Sequence, residues 1–152
     1  MRFFPLLILL ALFCPAWAGD AYLPDLDKTP GVARTDLTVE QICKTKWGKD
    51  HRAVTAAMKK QVFLAYGYAK RNKDKRCPCE IDHKYSRELG GADDIKNLWP
   101  QPYRGAWNAH QKDRLENRLH KEMCAGNITQ KQALEMLDDW PKAFVTYFGE
   151  PK

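Results

Sequence analysis

The chain has 152 residues, with 25 Lys and Arg against 19 Asp and Glu, a formal net charge of +6 and a sequence pI near 9.1. This length predicts one domain, or one domain with a leader. With 44% hydrophobic and 29% charged residues, the composition excludes a disordered chain and a protein with several membrane spans. The excess of positive charge favours an anionic partner, nucleic acid before a membrane surface.

The first eighteen residues predict a secretory signal peptide. Arg2 supplies the positive start, residues 6–13 form a short apolar core, and residues 16–18 (AWA) form a small-x-small cleavage site. The apolar stretch is shorter than the roughly 20 residues that a membrane span needs. We therefore expect cleavage near Ala18, no membrane anchor afterwards, and a monomeric protein that is periplasmic or secreted. Cys14 is expected to leave with the leader.

Four cysteines remain after that cleavage, namely Cys43, Cys77, Cys79 and Cys124. An even number in an exported chain predicts two disulfides. A bond from Cys77 to Cys79 across Pro78 would be strained, so the favoured interpretation pairs each of them with Cys43 or Cys124. A structural zinc site is the alternative, although such sites commonly use C-x-x-C spacing rather than the C-P-C found here.

The first half of the mature chain predicts an arm, two helices and a loop. Residues 19–35 contain two prolines and no clear period, which indicates an extended arm. The sequence TVEQ at 38–41 fits a capping box and predicts a short helix carrying Ile42 and Cys43. Apolar residues at every fourth position predict a longer helix over 51–69, and the polar run at 70–76 (KRNKDKR) predicts a loop.

The second half predicts a hairpin followed by two helices. Residues 79–83 and 95–99 are short candidate strands, separated by a long loop that contains Gly90-Gly91. Asn108 can cap a helix that runs to about Cys124, and Gly126 is a natural stop.

A further capping box, TQKQ at 129–132, opens the second of these helices, which Pro141 is expected to end. The sequence therefore predicts a mostly helical α+β domain over residues 36–152, with one small hairpin inside it.

Residues 80–112 bring together side chains that suit phosphodiester hydrolysis. Asp82 places a hard oxygen ligand beside His83, a potential general base, and neighbours on a strand point to opposite faces. The glycine pair permits a tight loop, and Asn97 can bond across that loop. His110 lies in the first turn of the next helix, where free N–H groups receive phosphate. Such hydrolysis needs a base for water and a metal to neutralise charge.

The spacing from His83 through the glycine pair to Asn97-Leu98, followed by His110, resembles the HNH motif of the ββα-metal endonucleases. The phrases EIDH (80–83), LGG (89–91) and NLWPQ (97–101) also resemble a group of small exported bacterial HNH-type proteins. The resemblance covers about residues 79–124. It implies a ββα-metal core, a hairpin plus a helix, embedded among additional helices.

The resemblance also implies a role for each matching residue. His83 would be the general base, Asp82 a metal ligand, and Asn97 the residue that stabilises the loop and orients His83. His110 would be the second metal ligand, but the step from Asn97 to His110 is longer than usual, which leaves Asn108 as the alternative. The cofactor would be one divalent ion, magnesium before manganese, zinc or nickel.

A basic run precedes the motif, and basic residues also lie near the start of the following helix. The predicted phosphate contacts are Lys70, Arg71, Lys73, Lys75, Arg76, Lys112 and Arg114. Such contacts make binding salt-dependent and carry little sequence preference. Lys112 and Glu116, one helical turn apart, are expected to form a solvated pair.

The sequence therefore predicts an exported, metal-dependent endonuclease acting on DNA, with RNA as a further candidate and with low sequence specificity. One alternative is a catalytically inactive HNH scaffold that binds nucleic acid without cleaving it. Another is a disulfide-stabilised interaction protein of the envelope. Both alternatives would lack divalent-dependent cleavage, and the envelope protein would also lack affinity for nucleic acid.

Overall fold

The computed structural model describes residues 22–68 and 78–151. Within these ranges the protein is α+β and mostly helical, with five α-helices and one two-stranded antiparallel sheet. The elements in chain order are α1 (Val39–Lys44), α2 (Ala56–Ala65), β1 (Cys79–His83), β2 (Leu98–Pro102), α3 (Ala109–Cys124), α4 (Gln130–Asp138) and α5 (Trp140–Phe148). The predicted class, mostly helical with one small hairpin, is confirmed. No helix in the described ranges is both long and apolar enough to cross a membrane.

Capping side chains set where the helices begin. The side chains of Thr38 and Thr129 each accept a hydrogen bond from the backbone N–H three residues on. The backbone N–H of each threonine donates in turn to the side chain of the glutamine at that position, so both predicted capping boxes are confirmed. Asn108 caps α3, also as predicted. The helix predicted over 51–69 is shorter at both ends. Thr55 caps the backbone N–H of Met58, so α2 begins only at Ala56, and it ends at Ala65.

Two further predicted boundaries are wrong. Pro141 does not end a helix: α4 ends at Asp138, and Pro141 lies in the first turn of α5, where its missing N–H leaves no bond unmade. The second strand begins at Leu98 rather than at 95, because the Asp94 side chain accepts from the N–H of Lys96 and holds 95–97 in a 3₁₀ turn.

The predicted disulfide pairing is also wrong. Cys43 is bonded to Cys124, with Cα atoms 5.7 Å apart, rather than to Cys77 or Cys79. The physical reason is the packing of α1 on α3, which buries Ile42 and Met123 in one core and brings the ends of both helices together. Cys79 is disulfide-bonded as well, whereas Cys77 lies outside the described residues.

Two hydrophobic clusters hold these elements. The larger lies between α1, α3, α4 and α5 and consists of Ile42, Leu89, Leu115, Leu119, Met123, Ala133, Leu137, Trp140, Ala143 and Phe144. The smaller joins α2 to the hairpin through Val62, Phe63, Ile81 and Leu98. The described part of the N-terminal arm contacts both regions, since Trp140 donates to the carbonyl of Tyr22 and the Thr29 hydroxyl donates to the carbonyl of Leu98.

The hairpin register decides which side chains share a face. Glu80 lies opposite Gln101 and Asp82 opposite Trp99, while His83 lies opposite Leu98. Because side chains alternate along a strand, the first four share one face, and His83 lies on the other. Lys112 of α3 contacts the Asp82 face, and α2 packs on the opposite face. Asp82 and His83 therefore lie next to each other in sequence but open into different environments.

Removing the cap of α4 tests the role of Thr129. We expect Thr129→Ala to lower the free energy of unfolding by about 1 kcal/mol, because an N-terminal N–H of α4 loses its acceptor. Thermal unfolding followed by circular dichroism measures the change. The matched control is Thr146→Ala, whose hydroxyl donates to the carbonyl of Lys142 within α5. Equal destabilisation of both variants would contradict the capping role.

Candidate active site

Asn97 fixes the loop that joins the two strands. Its side chain is fully buried, with Oδ1 accepting from the N–H of Tyr85 (2.9 Å) and Nδ2 donating to the carbonyls of Tyr85 (3.0 Å) and Ala92 (2.9 Å). Gly91 must be glycine here, because a Cβ would lie 1.7 Å from the carbonyl oxygen of Tyr85. Asn97 thus makes the loop contacts expected of it, whereas its contribution to catalysis stays a prediction.

His83 is held between a carboxylate and a guanidinium. Its Nε2 lies 2.8 Å from Oδ1 of Asp93, and its Nδ1 lies 3.4 Å from Nη2 of Arg52. An ionised carboxylate only accepts hydrogen bonds and a guanidinium only donates them. The partners therefore fix the tautomer, with the proton on Nε2 and the lone pair on Nδ1.

Burial keeps the His83 ring uncharged. The residue is 4% exposed, and this burial, with a smaller contribution from the charge of Arg52, lowers the pKa of His83 to about 4 against the opposing effect of Asp82 and Asp93. The ring is neutral at neutral pH and has a lone pair that can accept a proton. In this conformation Arg52 covers that lone pair.

Asp93 connects His83 to the loop before α2. Its Oδ2 accepts from the N–H of Ala53 (2.7 Å), and its Oδ1 lies 3.2 Å from Nε of Arg87. Burial would raise the pKa of Asp93, but these hydrogen bonds and the nearby charges lower it. Arg87 in turn pairs with Asp50 and donates to the carbonyl of His51 at 2.8 Å. Asp93 is therefore charged and rigidly placed.

The sequence interpretation missed Asp93, Arg87 and Arg52. An acidic residue just after the glycine pair was the available signal for Asp93, because a histidine base is commonly oriented by a carboxylate. No sequence period links residue 52 to residue 83, since their contact joins the loop before α2 to the end of β1, and these meet only in the folded chain.

The ammonium of Lys112 binds on the other face of the strand, against Asp82. It donates to Oδ2 of Asp82 (2.8 Å), to the carbonyl of His83 (2.7 Å) and to Glu116. All three ammonium protons thus have acceptors, and Lys112 is only 1% exposed. The predictions of Lys112 as a surface phosphate contact and of a solvated Lys112–Glu116 pair are wrong, because the hairpin covers this side of α3.

Burial and the neighbouring charges shift the pKa values of the three ionisable groups of this cluster in different directions. Burial would raise the pKa of Asp82, but the charge and hydrogen bond of Lys112 outweigh it and lower the pKa. Burial likewise opposes the charge on Lys112, yet the two carboxylates raise the pKa of its ammonium. Burial dominates at Glu116 and raises its pKa. Glu116 is therefore the member of the cluster that takes up a proton first.

The two candidates for the second metal ligand lie at the start of α3. His110 is exposed, with its ring 5.9 Å from that of Tyr103, and the Tyr103 hydroxyl donates to Glu80 at 3.0 Å. Asn108 uses its Oδ1 to cap the N–H of Gln111 at 3.3 Å. His110 is the freer of the two, since the cap already occupies the amide oxygen of Asn108.

The predicted phosphate contacts have different outcomes. The guanidinium of Arg114 stacks 4.7 Å from the ring centre of Phe148 and 5.3 Å from that of Phe144, so it faces α5 rather than the hairpin. The five residues of the basic run lie outside the described residues, namely Lys70, Arg71, Lys73, Lys75 and Arg76. Their predicted contact with phosphate stays a prediction.

The Asp82 face has the donor chemistry that suits a hard divalent cation. Lys112 occupies only one of the two oxygens of Asp82. Burial, followed by the charge of Asp82, raises the pKa of Glu80 and of Asp113, and a cation would relieve that repulsion. The buried amide of Gln101 has no hydrogen-bond partner among the described residues.

In the ranges 22–68 and 78–151, no group of three or more His, Cys, Asp or Glu side chains is arranged to hold a metal ion. The predicted site needs only two protein ligands, with water and phosphate in the other positions. The metal ion at Asp82 therefore stays a prediction.

Comparison with known proteins adds no relative. No protein family, no curated protein and no solved structure matches this chain. What the chain does is therefore inferred from its own residues: a neutral imidazole oriented by a carboxylate on one face of β1, and a cluster of carboxylates around an ammonium on the other.

Proposed function

We propose that the protein is an exported, metal-dependent endonuclease of the HNH type that hydrolyses phosphodiester bonds of DNA, with RNA as a further candidate substrate and little sequence preference. One observation carries the proposal: His83 is neutral, is oriented by Asp93 through Nε2, and has its lone pair on Nδ1. This is the state that a general base for water requires. Asp82, the candidate metal ligand, is the adjacent residue and lies on the other face of β1.

The arrangement of the elements supports a ββα core. Strands β1 and β2 pair antiparallel and are followed directly by α3, whose Lys112 reaches back to Asp82. The loop between the strands is fixed by Asn97, at the position that the HNH motif assigns to a structural asparagine. Export is supported by the signal-like leader and by the disulfide between Cys43 and Cys124.

In the proposed reaction, Nδ1 of His83 takes a proton from the water whose oxygen attacks phosphorus. The bond from phosphorus to the leaving oxygen breaks, and the leaving oxygen takes a proton from solvent. Asp93 keeps the proton of the neutral ring on Nε2 and stabilises the imidazolium that forms, as the carboxylate of a catalytic triad does. A bound divalent ion would neutralise charge at the phosphate and the leaving oxygen. Asp82, together with His110 or Asn108, would hold it. Lys112 keeps Asp82 charged and in place.

A non-catalytic scaffold is the second candidate, and one observation favours it. His83 is 4% exposed, and its lone pair faces Arg52 rather than solvent. A chain that binds nucleic acid without cutting it would have no need to expose this nitrogen. The two candidates differ in one measurable property, which is divalent-dependent cleavage.

A nuclease assay on the purified, oxidised protein tests the proposal. We expect nicking of plasmid DNA with magnesium or manganese and none with EDTA. We further expect His110→Ala to raise the magnesium concentration needed for half-maximal cleavage, because a ligand is lost. Asn108→Ser keeps a capping oxygen for α3 and is the matched variant for the alternative ligand. Binding without cleavage across the metal series would support the non-catalytic scaffold instead.

A further inference from the structure

Arg52 is an exposed arginine with no carboxylate partner in the described part of the chain. Its one hydrogen bond there is the 3.4 Å contact from Nη2 to Nδ1 of His83. Two other arginines of the described part are paired with carboxylates, Arg87 with Asp50 and Arg118 with Glu122. Arg52 thus brings an uncompensated positive charge to the one nitrogen of His83 that can accept a proton.

The backbone on both sides of Arg52 is held in place. The carbonyl of His51 accepts from Arg87 at 2.8 Å, and the N–H of Ala53 donates to Asp93 at 2.7 Å. Asp93 also binds His83, so the same carboxylate positions the imidazole and the residue next to Arg52. The arginine is therefore presented to His83 from a fixed backbone, while its side chain keeps freedom to turn.

The contact between Arg52 and His83 is weak compared with what a phosphodiester would offer. A 3.4 Å hydrogen bond to a neutral nitrogen is long for an N–H donor. A phosphodiester anion offers two charged oxygens, and a guanidinium binds such a pair through two short, charge-assisted hydrogen bonds. A phosphodiester at this place would therefore take Arg52 away from His83.

We propose that Arg52 binds the phosphodiester of the substrate and acts as a gate over His83. In the free protein the guanidinium covers Nδ1. When a phosphodiester binds, the guanidinium turns to its oxygens, and Nδ1 becomes free to accept a proton from water beside the bound phosphorus. The gate rests on the proposed function, whereas the binding of a phosphodiester at Arg52 does not.

The reactivity of His83 toward diethyl pyrocarbonate tests whether Arg52 covers its ring. Peptide mass spectrometry reads the modification residue by residue. We expect slow modification of His83 in the wild type and modification approaching the rate of exposed His110 in Arg52→Ala. Arg118→Ala, which removes the same charge elsewhere, should leave His83 protected. Equal protection of His83 in wild type and Arg52→Ala would overturn the gate.

Phosphodiester binding is tested with dimethyl phosphate and nuclear magnetic resonance of the arginine side-chain N–H groups. Titration should shift the Arg52 signal in the wild type and in Arg118→Ala, and uncharged trimethyl phosphate should shift nothing. In Arg52→Ala the shifts of neighbouring His83 signals should be lost. An Arg52 signal that does not respond to dimethyl phosphate would overturn the binding site.

Cleavage kinetics separate this proposal from the function on which it rests. If the wild type cleaves DNA, Arg52→Ala should raise KM and lower kcat, while Arg52→Lys should recover part of the KM. Unchanged kinetics in Arg52→Ala would overturn both the gate and the binding of the substrate phosphodiester by Arg52, and would leave the nuclease standing. Absence of cleavage in the wild type, together with a clear response of Arg52 to dimethyl phosphate, would overturn the nuclease and retain the phosphodiester site.

Discussion

Replacing His83 with alanine is expected to abolish divalent-dependent nicking of DNA, with a fall in rate of roughly 10²–10⁴-fold, the usual contribution of a general base. In the described part of this face, only His83 has a lone pair placed to accept a proton from water, because Asp93 and Arg52 hold its ring proton on Nε2. The substitution removes that lone pair. Single-turnover cleavage of a labelled oligonucleotide measures the effect on the chemical step apart from binding.

Two comparisons make that result specific to His83. His51→Ala removes an exposed imidazole one residue from Arg52 and should cleave like the wild type. The contact of His51 with Arg87 is made by its backbone carbonyl and not by its ring, so it is kept. The free energy of unfolding of both variants, from urea denaturation, shows whether the fold is intact. A folded His83→Ala protein that cleaves at the wild-type rate would refute the assignment of His83 as the base.

Local signals in the sequence were sufficient to predict much of the secondary structure around this site. The capping side chains at Thr38, Asn108 and Thr129 each place a hydrogen-bond acceptor within three residues of the N–H that it serves, so neighbours in sequence determine the helix start. Strand β1 is bounded as predicted. These features depend on interactions that sequence proximity makes visible.

The features that the sequence did not disclose depend on which distant surfaces meet. Lys112 has the pattern of a solvated helix residue, and only the docking of the hairpin on α3 makes it a buried cation. The disulfide follows from the packing of α1 on α3, 81 residues apart. Arg52 reaches His83 because Asp93 draws the loop before α2 onto the hairpin. Each depends on tertiary contacts, which neither helical nor strand periodicity encodes.

Replacing Lys112 with methionine is expected to lower the free energy of unfolding by about 3–5 kcal/mol at neutral pH, the usual effect of removing one partner from a buried ion pair. Methionine fills most of the space of the lysine stem, so the loss reports the charge rather than a cavity. The carboxylates of Asp82 and Glu116 would remain in a buried site without the ammonium that now contacts both. Urea denaturation followed by tryptophan fluorescence measures the change.

The pH dependence of this loss distinguishes an electrostatic cause from a packing defect. Without Lys112, burial raises the folded-state pKa of both carboxylates above the unfolded value. The folded state then binds their protons more tightly than the unfolded state does, so protonation stabilises the fold. The variant should therefore be closest to the wild type at a pH below the unfolded carboxylate pKa, and should lose stability as the pH rises through the folded-state pKa.

The additional change Glu116→Gln should recover part of the stability of Lys112→Met at neutral pH, because burial raises the pKa of Glu116 and glutamine needs no proton on folding. Lys131→Met is the control: its exposed pair with Glu135, at 3.6 Å, is worth at most about 1 kcal/mol. A loss in Lys112→Met that does not vary with pH, or that matches the control, would show that the ammonium does not support the Asp82 cluster.

The same variant bears on the metal, because it frees the second oxygen of Asp82. If a divalent ion binds at Asp82 as proposed, magnesium should stabilise Lys112→Met more than it stabilises the wild type.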